Sequence, residues 1–132
     1  MKSSVGALPV TGVRLGSVRA PVYANKDRDD LLVMGFDEGS IGAAVTTTNQ
    51  FCAAPVHFLK AHLEATASVR YWLLNAGNAN AGTGGPGMDA CRQTLEHLAT
   101  LTQAPQQSIW PFSTGVIGEP LPVGAICDGL PR

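Results

Sequence analysis

The sequence has little charge and few aromatic side chains. Charged residues make up 14% of its 132 residues and aromatic residues 6%, whereas an average soluble domain is about 25% charged. Nine basic residues stand against ten acidic ones, a formal charge of −1, so there is no basic field for nucleic acid and no polybasic segment for a membrane. We expect neither partner. Because so little charge covers an isolated surface poorly, we expect a large interface or a missing part of the chain.

Cysteines and long apolar runs are also scarce. Cys52, Cys91 and Cys127 are odd in number, widely spaced and outside any C-x-x-C motif, which argues against a disulfide framework and a zinc site. We expect each to be a small buried side chain, with a nucleophilic role as the alternative. No run approaches the roughly 18 apolar residues that span a bilayer, and Met1–Gly6 leads into no apolar block of a secretory signal. These features predict a cytoplasmic protein without a metal site.

The apolar pattern predicts a single domain, residues 1–132, in which strands and helices alternate. Strands are expected within residues 1–20 and at Leu31–Phe36, Ile41–Thr47, Val69–Leu74 and Ser108–Phe112. Helices are expected from Pro55, from about Met88 and, for a turn or two, near the C-terminus. A strand, a glycine-rich loop, a helix and a further strand make a crossover unit. The predicted fold class is therefore α/β (α+β), layered, with at least one parallel pair of strands.

Shorter segments connect these elements. Tyr23–Asp30 is turn-rich with mixed charges, so we expect a solvated loop. Asp37–Ser40 is expected to turn the preceding strand back into the next one as a hairpin. His57 and His62 are five residues apart, which fails the helical spacing of a metal pair. We expect these two and His97 to be surface or packing histidines.

Asn75–Gly87 is rich in glycine and asparagine. Within it, Gly82–Gly87 matches the G-x-G-x-x-G pattern of dinucleotide-binding loops. The acidic residue expected about twenty positions later is absent, because Gln106–Ser108 stands there, and no lysine follows the glycines as in a phosphate loop. Nucleotide binding is therefore disfavoured. The asparagines can bond neighbouring backbone groups, so the segment is either a structural loop or the wall of a site.

Trp110–Pro122 is an apolar run that leads into Ser113-Thr114-Gly115. Glycine allows close approach, so the N–H of Gly115 can face a ligand without shielding. Prolines then restrict the path of the chain. The stretch predicts a rigid platform of polar atoms that holds negative charge.

Three blocks carry a family resemblance: Thr46–Val56, Asn75–Gly84 and Pro111–Pro122. In their order and spacing the chain resembles the ornithine acetyltransferases, the bifunctional glutamate N-acetyltransferases of arginine biosynthesis. The resemblance implies the layered fold of that family and of the related N-terminal-nucleophile aminopeptidases. It also implies a ping-pong transfer of an acetyl group from N-acetylornithine to glutamate without a cofactor, although some members also use acetyl-CoA.

The resemblance also implies a division of labour between two chains. In the family a precursor cleaves itself before an internal threonine, which becomes the nucleophile at the start of a β chain, and two α and two β chains assemble. The family's oxyanion-hole pair falls on Thr114, through its hydroxyl, and on Gly115, through its N–H. The cleavage junction and substrate-gripping residues lie beyond Gly129-Leu130-Pro131, so we expect this chain to be the front part of an α chain, incomplete and inactive alone.

Two departures and two alternatives accompany this interpretation. The only Ala-Thr pairs, Ala65-Thr66 and Ala99-Thr100, do not fit the family's cleavage junction, and Tyr23–Asp30 replaces a basic, glycine-containing turn. One alternative is part of a related aminopeptidase. The other is a non-catalytic module that binds a partner through an uncovered apolar face.

Overall fold

In the part of the chain that the structure describes, a four-stranded mixed sheet and three helices form the fold. The computed structural model describes residues 8–23 and 27–132. The elements are β1 (Val13–Val18), β2 (Leu31–Phe36), α1 (Ala54–Ala65), β3 (Tyr71–Asn78), α2 (Gly84–Thr102), β4 (Ile109–Val116) and α3 (Val123–Gly129), with a 3₁₀ turn at Gln106–Ser108. The strand order is β1-β2-β3-β4, antiparallel except for the parallel β3–β4 pair. The predicted α+β class with a parallel pair is confirmed.

The main core lies between the sheet and helices α2 and α3. Because side chains alternate along a strand, Leu31, Leu73 and Ile109 turn to the same face of the sheet. There they pack with apolar residues of the helices, among them Cys91, Leu95, Leu98 and Ile126. The stripe on α2 follows the helical period that the sequence predicted.

Helix α1 lies along β4, one of the two edge strands of the described sheet. Pro55 stands in its first turn, as predicted, where a missing N–H costs nothing. Leu59 packs with Trp110 in a second cluster that also contains Trp72. His62 is buried, and its Nδ1 donates a hydrogen bond of 2.8 Å to the carbonyl oxygen of Ile109. The helix therefore covers an edge that would otherwise expose unpaired backbone groups.

The predicted strand Ile41–Thr47 is wrong. Only Ile41 forms a bridge, with Ser68, and Val45 is fully exposed. Strand β2 already pairs with β1 on one side and β3 on the other, so neither side of it is free for a returning strand. The hairpin predicted through Asp37–Ser40 therefore does not form; a turn at these residues starts an irregular segment instead.

The glycine-rich segment is shorter than predicted. Strand β3 continues to Asn78 and α2 begins at Gly84, four residues before Met88. Only residues 79–83 connect them. Local propensity favours a loop here, but pairing of β3 with β4 continues through Gly77 and overrides it.

The N-terminal predictions and the cysteine predictions are partly confirmed. One strand, β1, forms within residues 8–20; Met1–Gly6 and residues 24–26 lie outside the described residues. Asp30 departs from the expected solvated loop, since it is buried and accepts hydrogen bonds from the N–H groups of Ala20 and Val22 at 2.7 and 2.8 Å. The cysteines are unpaired, and Cys91 alone is fully buried. No helix in the described ranges has the length and hydropathy to cross a membrane.

Candidate active site

The residues Ser113, Thr114 and Gly115 lie within β4 and not beyond its end, because the strand runs on to Val116. Thr114 pairs with Ala76 and Gly115 with Gly77 on β3. Ser113 is half-buried, whereas Thr114 and Gly115 are exposed. The sheet thus holds a hydroxyl and a glycine next to each other at its surface.

Two facing positions of β3 and β4 require glycine, with different neighbours: Gly115 lies against the backbone of β3, whereas Gly77 lies against Tyr23. Gly77 and Gly115 have φ of +119° and +135°, conformations that side chains rarely adopt. A Cβ on Gly115 would overlap Gly77 and lie 2.5 Å from the backbone nitrogen of Asn78, and one on Gly77 would lie 2.6 Å from Cβ of Tyr23. The pairing register shifts at Gly77 and Asn78, so the strands bulge where the candidate site begins.

Buried asparagine side chains fix this end of the strands. Asn75 accepts a 2.6 Å hydrogen bond from the Ser113 hydroxyl and donates to the carbonyl of Asn78 at 2.8 Å. Asn78 donates to the carbonyls of Glu119 and Pro120 and accepts from the N–H of Asn80. Asn80 in turn donates to the carbonyl of Gly87 in the first turn of α2. Such bonded buried networks are rigid. The predicted hydrogen bonds between these asparagines and backbone groups are confirmed, and Asn75 and Asn80 also line cavities.

A cavity of about 300 Å³ opens beside Thr114. Apolar side chains of three strands, including Leu32, Leu74 and Phe112, form part of its wall, and Asp29 and Asp30 lie at one side. The Asp30 carboxylate is occupied by backbone N–H groups, and that of Asp29 accepts from the Ser17 hydroxyl at 2.5 Å. The cavity combines an apolar surface with a few polar groups, as ligand sites commonly do.

A second group of reactive side chains lies elsewhere and was missed from the sequence. Cys52 Sγ is 3.3 Å from Nε2 of His57, at the start of α1. The spacing rules used on the sequence apply to two residues inside one helix, and Cys52 lies before the helix begins. The signal that could have found the pair is the known contact between the residue before the N-cap and the fourth helical residue. Within residues 8–23 and 27–132, no three metal-ligating side chains come together.

Comparison with known families identifies the group to which these features belong. The ArgJ family matches residues 14–132. The chain belongs to the ArgJ family. The arginine biosynthesis bifunctional protein ArgJ of Pseudomonas syringae pv. tomato is 52% identical over 122 residues, which are 92% of this chain and 29% of that protein. The protein of the same name from Methylococcus capsulatus is 44% identical over 130 residues, 98% of this chain and 31% of that protein. The chain thus spans about a third of the length of these relatives.

Solved structures of ArgJ proteins have the same fold. The ornithine acetyltransferase of Mycobacterium tuberculosis, determined in complex with ornithine, has a TM-score of 0.83 and 31% identity, covering 91% of this chain and 64% of that one. ArgJ of Bacillus halodurans also gives 0.83, at 29% identity over 89% of this chain and 61% of that one. The predicted fold of the ornithine acetyltransferase type is confirmed.

Proposed function

We propose that this chain supplies the anion-stabilising half of an acyl-transfer site. The Thr114 hydroxyl and the Gly115 N–H donate to the carbonyl oxygen of an acetyl group, which becomes negatively charged when a nucleophile attacks. The observation that carries the proposal is the placement of both residues, adjacent and exposed, on β4 where it pairs with β3 in an ArgJ-family fold. Donors held in position need no reorganisation when the charge develops.

The proposed reaction moves an acetyl group from N-acetylornithine to glutamate in arginine biosynthesis. The names of the relatives and the ornithine bound to the Mycobacterium tuberculosis enzyme support this substrate class. The acetyl group passes first to the nucleophile, releasing ornithine, and then to the amine of glutamate. Each half passes through a tetrahedral intermediate, so one pair of donors serves both. No cofactor takes part, and acetyl-CoA is an additional candidate donor.

The nucleophile is proposed to be the N-terminal threonine of a β chain, in an assembly of two α and two β chains. The groups beside Thr114 are consistent with a nucleophile from elsewhere. Ser113 donates its hydroxyl proton to the Asn75 amide oxygen, and an amide is not a general base. No histidine is among the described residues that line the cavity. This chain is proposed to be the front part of the α chain, a single domain.

Three substitutions at Thr114 test the role of the hydroxyl in the assembled enzyme. Thr114→Val keeps the side-chain shape and removes the donor, Thr114→Ala removes both, and Thr114→Ser keeps the donor. Loss of one oxyanion donor lowers kcat by about 10²–10³, or roughly 3–4 kcal/mol. We expect that loss for Val and Ala with KM nearly unchanged, and near wild-type turnover for Ser. An unchanged kcat in Thr114→Val would exclude Thr114 from the oxyanion hole.

A separate measurement addresses the missing nucleophile. We expect the 132-residue chain alone to release no ornithine from N-acetylornithine and the assembled enzyme to release it. Release by the isolated chain above the buffer blank, removed by Thr114→Val, would place the nucleophile within these 132 residues and contradict the proposed division between chains.

A further inference from the structure

The pair formed by Cys52 and His57 takes no part in the proposed acyl transfer. Cys52 immediately precedes Ala53, the N-cap of α1, and His57 is the fourth helical residue. These positions face each other at a helix start and are usually filled by two apolar side chains. Here they bring a thiol sulfur within 3.3 Å of an imidazole nitrogen. An imidazole so placed can take the thiol proton, which leaves the thiolate, the nucleophilic form of cysteine.

This pair lines a cavity of about 180 Å³. One wall is the segment Gln50–Cys52 with His57, and the opposite wall is Asn80 and Gly82–Gly84 with Met88. Cys52 is half-buried and His57 exposed, so the sulfur is open to reagents from solvent. The volume suits a small thiol-bearing group, of the size of a few carbon atoms and a carboxylate.

Two helices, α1 and α2, begin at this cavity. The dipoles at their N-termini influence the charge of the ligand that the cavity can bind. Gly84, which lines it, opens α2, and Ala54, which also lines it, opens α1. Neither helix has an acidic residue in its first turn or a side-chain hydrogen bond at its N-cap. No acidic side chain in either first turn therefore offsets the positive ends of the helix dipoles, which favour an anionic group in the cavity.

We propose that Cys52 is a site of thiol–disulfide exchange that accepts the small half of a carboxylate-bearing, low-molecular-weight disulfide. His57 takes the proton of the Cys52 thiol, and the thiolate attacks one sulfur of the disulfide. A bond forms between that sulfur and Cys52 Sγ, and the original S–S bond breaks. The second sulfur leaves as a thiolate and takes the proton from His57, so the products are a mixed disulfide on Cys52 and one free thiol.

The two other cysteines serve as internal controls. Burial raises the pKa of the Cys91 thiol to about 12, so its thiolate is scarce near neutral pH. Burial, and then the nearby Asp128, also raise the pKa of Cys127. Neither is among the residues lining the cavity at the start of α1.

The test is the rate of mixed-disulfide formation at each cysteine of the full chain, followed by mass spectrometry of its peptides. The probes are 3,3′-dithiodipropionate, which is anionic, and cystamine, which is cationic and of similar size. Each rate is divided by the rate for the same cysteine and probe in urea, which removes intrinsic reactivity. Since an unactivated thiol is only a few per cent thiolate at pH 7, we expect Cys52 to react about tenfold faster than Cys127 or faster still, with Cys91 slowest.

Variants separate the contribution of His57 from simple exposure. His57→Gln, at an exposed helical position, should slow Cys52 about tenfold and leave Cys127 unchanged. Cys52→Ser should remove the fast adduct, and Cys127→Ser should not. At Cys52, the rate in the folded chain divided by the rate in urea should be larger for the anionic probe than for cystamine. Equal rates at Cys52 and Cys127, or an unchanged Cys52 rate in His57→Gln, would overturn the site, and a preference for cystamine would overturn the ligand class.

Discussion

The paired strands β3 and β4 have two ends of different character. At one end the side chains are large: the rings of Trp72 and Trp110 stack with centroids 6.3 Å apart and 13° between their planes. At the other end Ala76 faces Thr114 and Gly77 faces Gly115. The two ends therefore differ in side-chain size, and the register also shifts at the small-residue end, at Gly77 and Asn78. Large rings fill the core, whereas the small residues leave the Thr114 hydroxyl and the backbone of Gly115 at the surface.

The largest effect is expected at the aromatic end. Trp110 is 1% exposed and packs with Leu59 and Trp72, so Trp110→Ala should lower the free energy of unfolding by about 3–5 kcal/mol. Urea denaturation of the chain measures it. Phe51→Ala is the control, because Phe51 is 82% exposed and its truncation should change stability by less than about 0.5 kcal/mol. Similar losses of unfolding free energy in the two variants would contradict a stabilising role for the buried Trp110 ring.

A smaller effect is expected where the two strands approach most closely. Gly115→Ala places a Cβ against Gly77 at a φ of +135°, and conformational strain with overlap should cost about 2–4 kcal/mol. Gly118→Ala is the matched control, since Gly118 also has a positive φ, +82°, but open space around it; strain alone should cost about 1–2 kcal/mol. Equal unfolding free energies for the two variants would mean that the β3–β4 contact relaxes freely.

The next effect concerns the asparagines behind the candidate site. Asn78→Ala removes the donor to the carbonyls of Glu119 and Pro120 and the acceptor for the Asn80 N–H. Leaving such buried groups unpaired should cost about 1–3 kcal/mol. Asn49→Ala is the comparison, because Asn49 is exposed and its side chain accepts a hydrogen bond from the N–H of Phe51, a bond at the surface. A loss for Asn78→Ala no larger than for Asn49→Ala would contradict a supporting role for the network.

The two ends also differ in how well the sequence predicts them. Branched and aromatic residues mark the beginning of β3 and of β4, and the periodic stripe on α2 between them indicates a parallel crossover. These predictions depend on local patterns, and they are confirmed. At the other end, Asn75–Asn78 has the composition of a loop and yet forms strand, because it pairs with Ser113–Val116 of β4. A local sequence pattern does not contain that distant partner.

Tertiary competition explains the other errors. Ile41–Thr47 has strand-forming residues, but it could pair with β2 only if one side of β2 were free. Strands β1 and β3 occupy both sides, and the sequence around Ile41 does not reveal this. The pairing of Cys52 with His57 required the exact helix start, and helix boundaries are the least predictable part of an element. The oxyanion assignment of Thr114 and Gly115 came from family resemblance combined with glycine chemistry, and it stays a prediction.

At the aromatic end, His62 is expected to make the free energy of unfolding weakly dependent on pH. Burial lowers the pKa of His62, against the smaller opposing influence of its hydrogen bond to Ile109. The imidazole of His62 is therefore protonated more readily in the unfolded chain than in the folded one. Its contribution to the free energy of unfolding is complete above its ordinary pKa of about 6.5 and declines as the pH falls below that value. Measured from pH 7.5 to 5, the unfolding free energy of wild type should fall more steeply than that of His62→Gln. Parallel profiles would contradict this.

The smallest effect on stability is expected at Thr114 itself, and it decides how the two ends are interpreted. The residue is exposed and its strand position suits a β-branched side chain, so Thr114→Val should change the unfolding free energy by less than about 0.5 kcal/mol. The measurement is urea denaturation beside Asn78→Ala. If Thr114→Val destabilises the chain as much as Asn78→Ala does, the hydroxyl supports the fold, and a loss of turnover in that variant no longer indicates an oxyanion donor. If stability is unchanged, any loss of turnover belongs to the chemistry at the small-residue end.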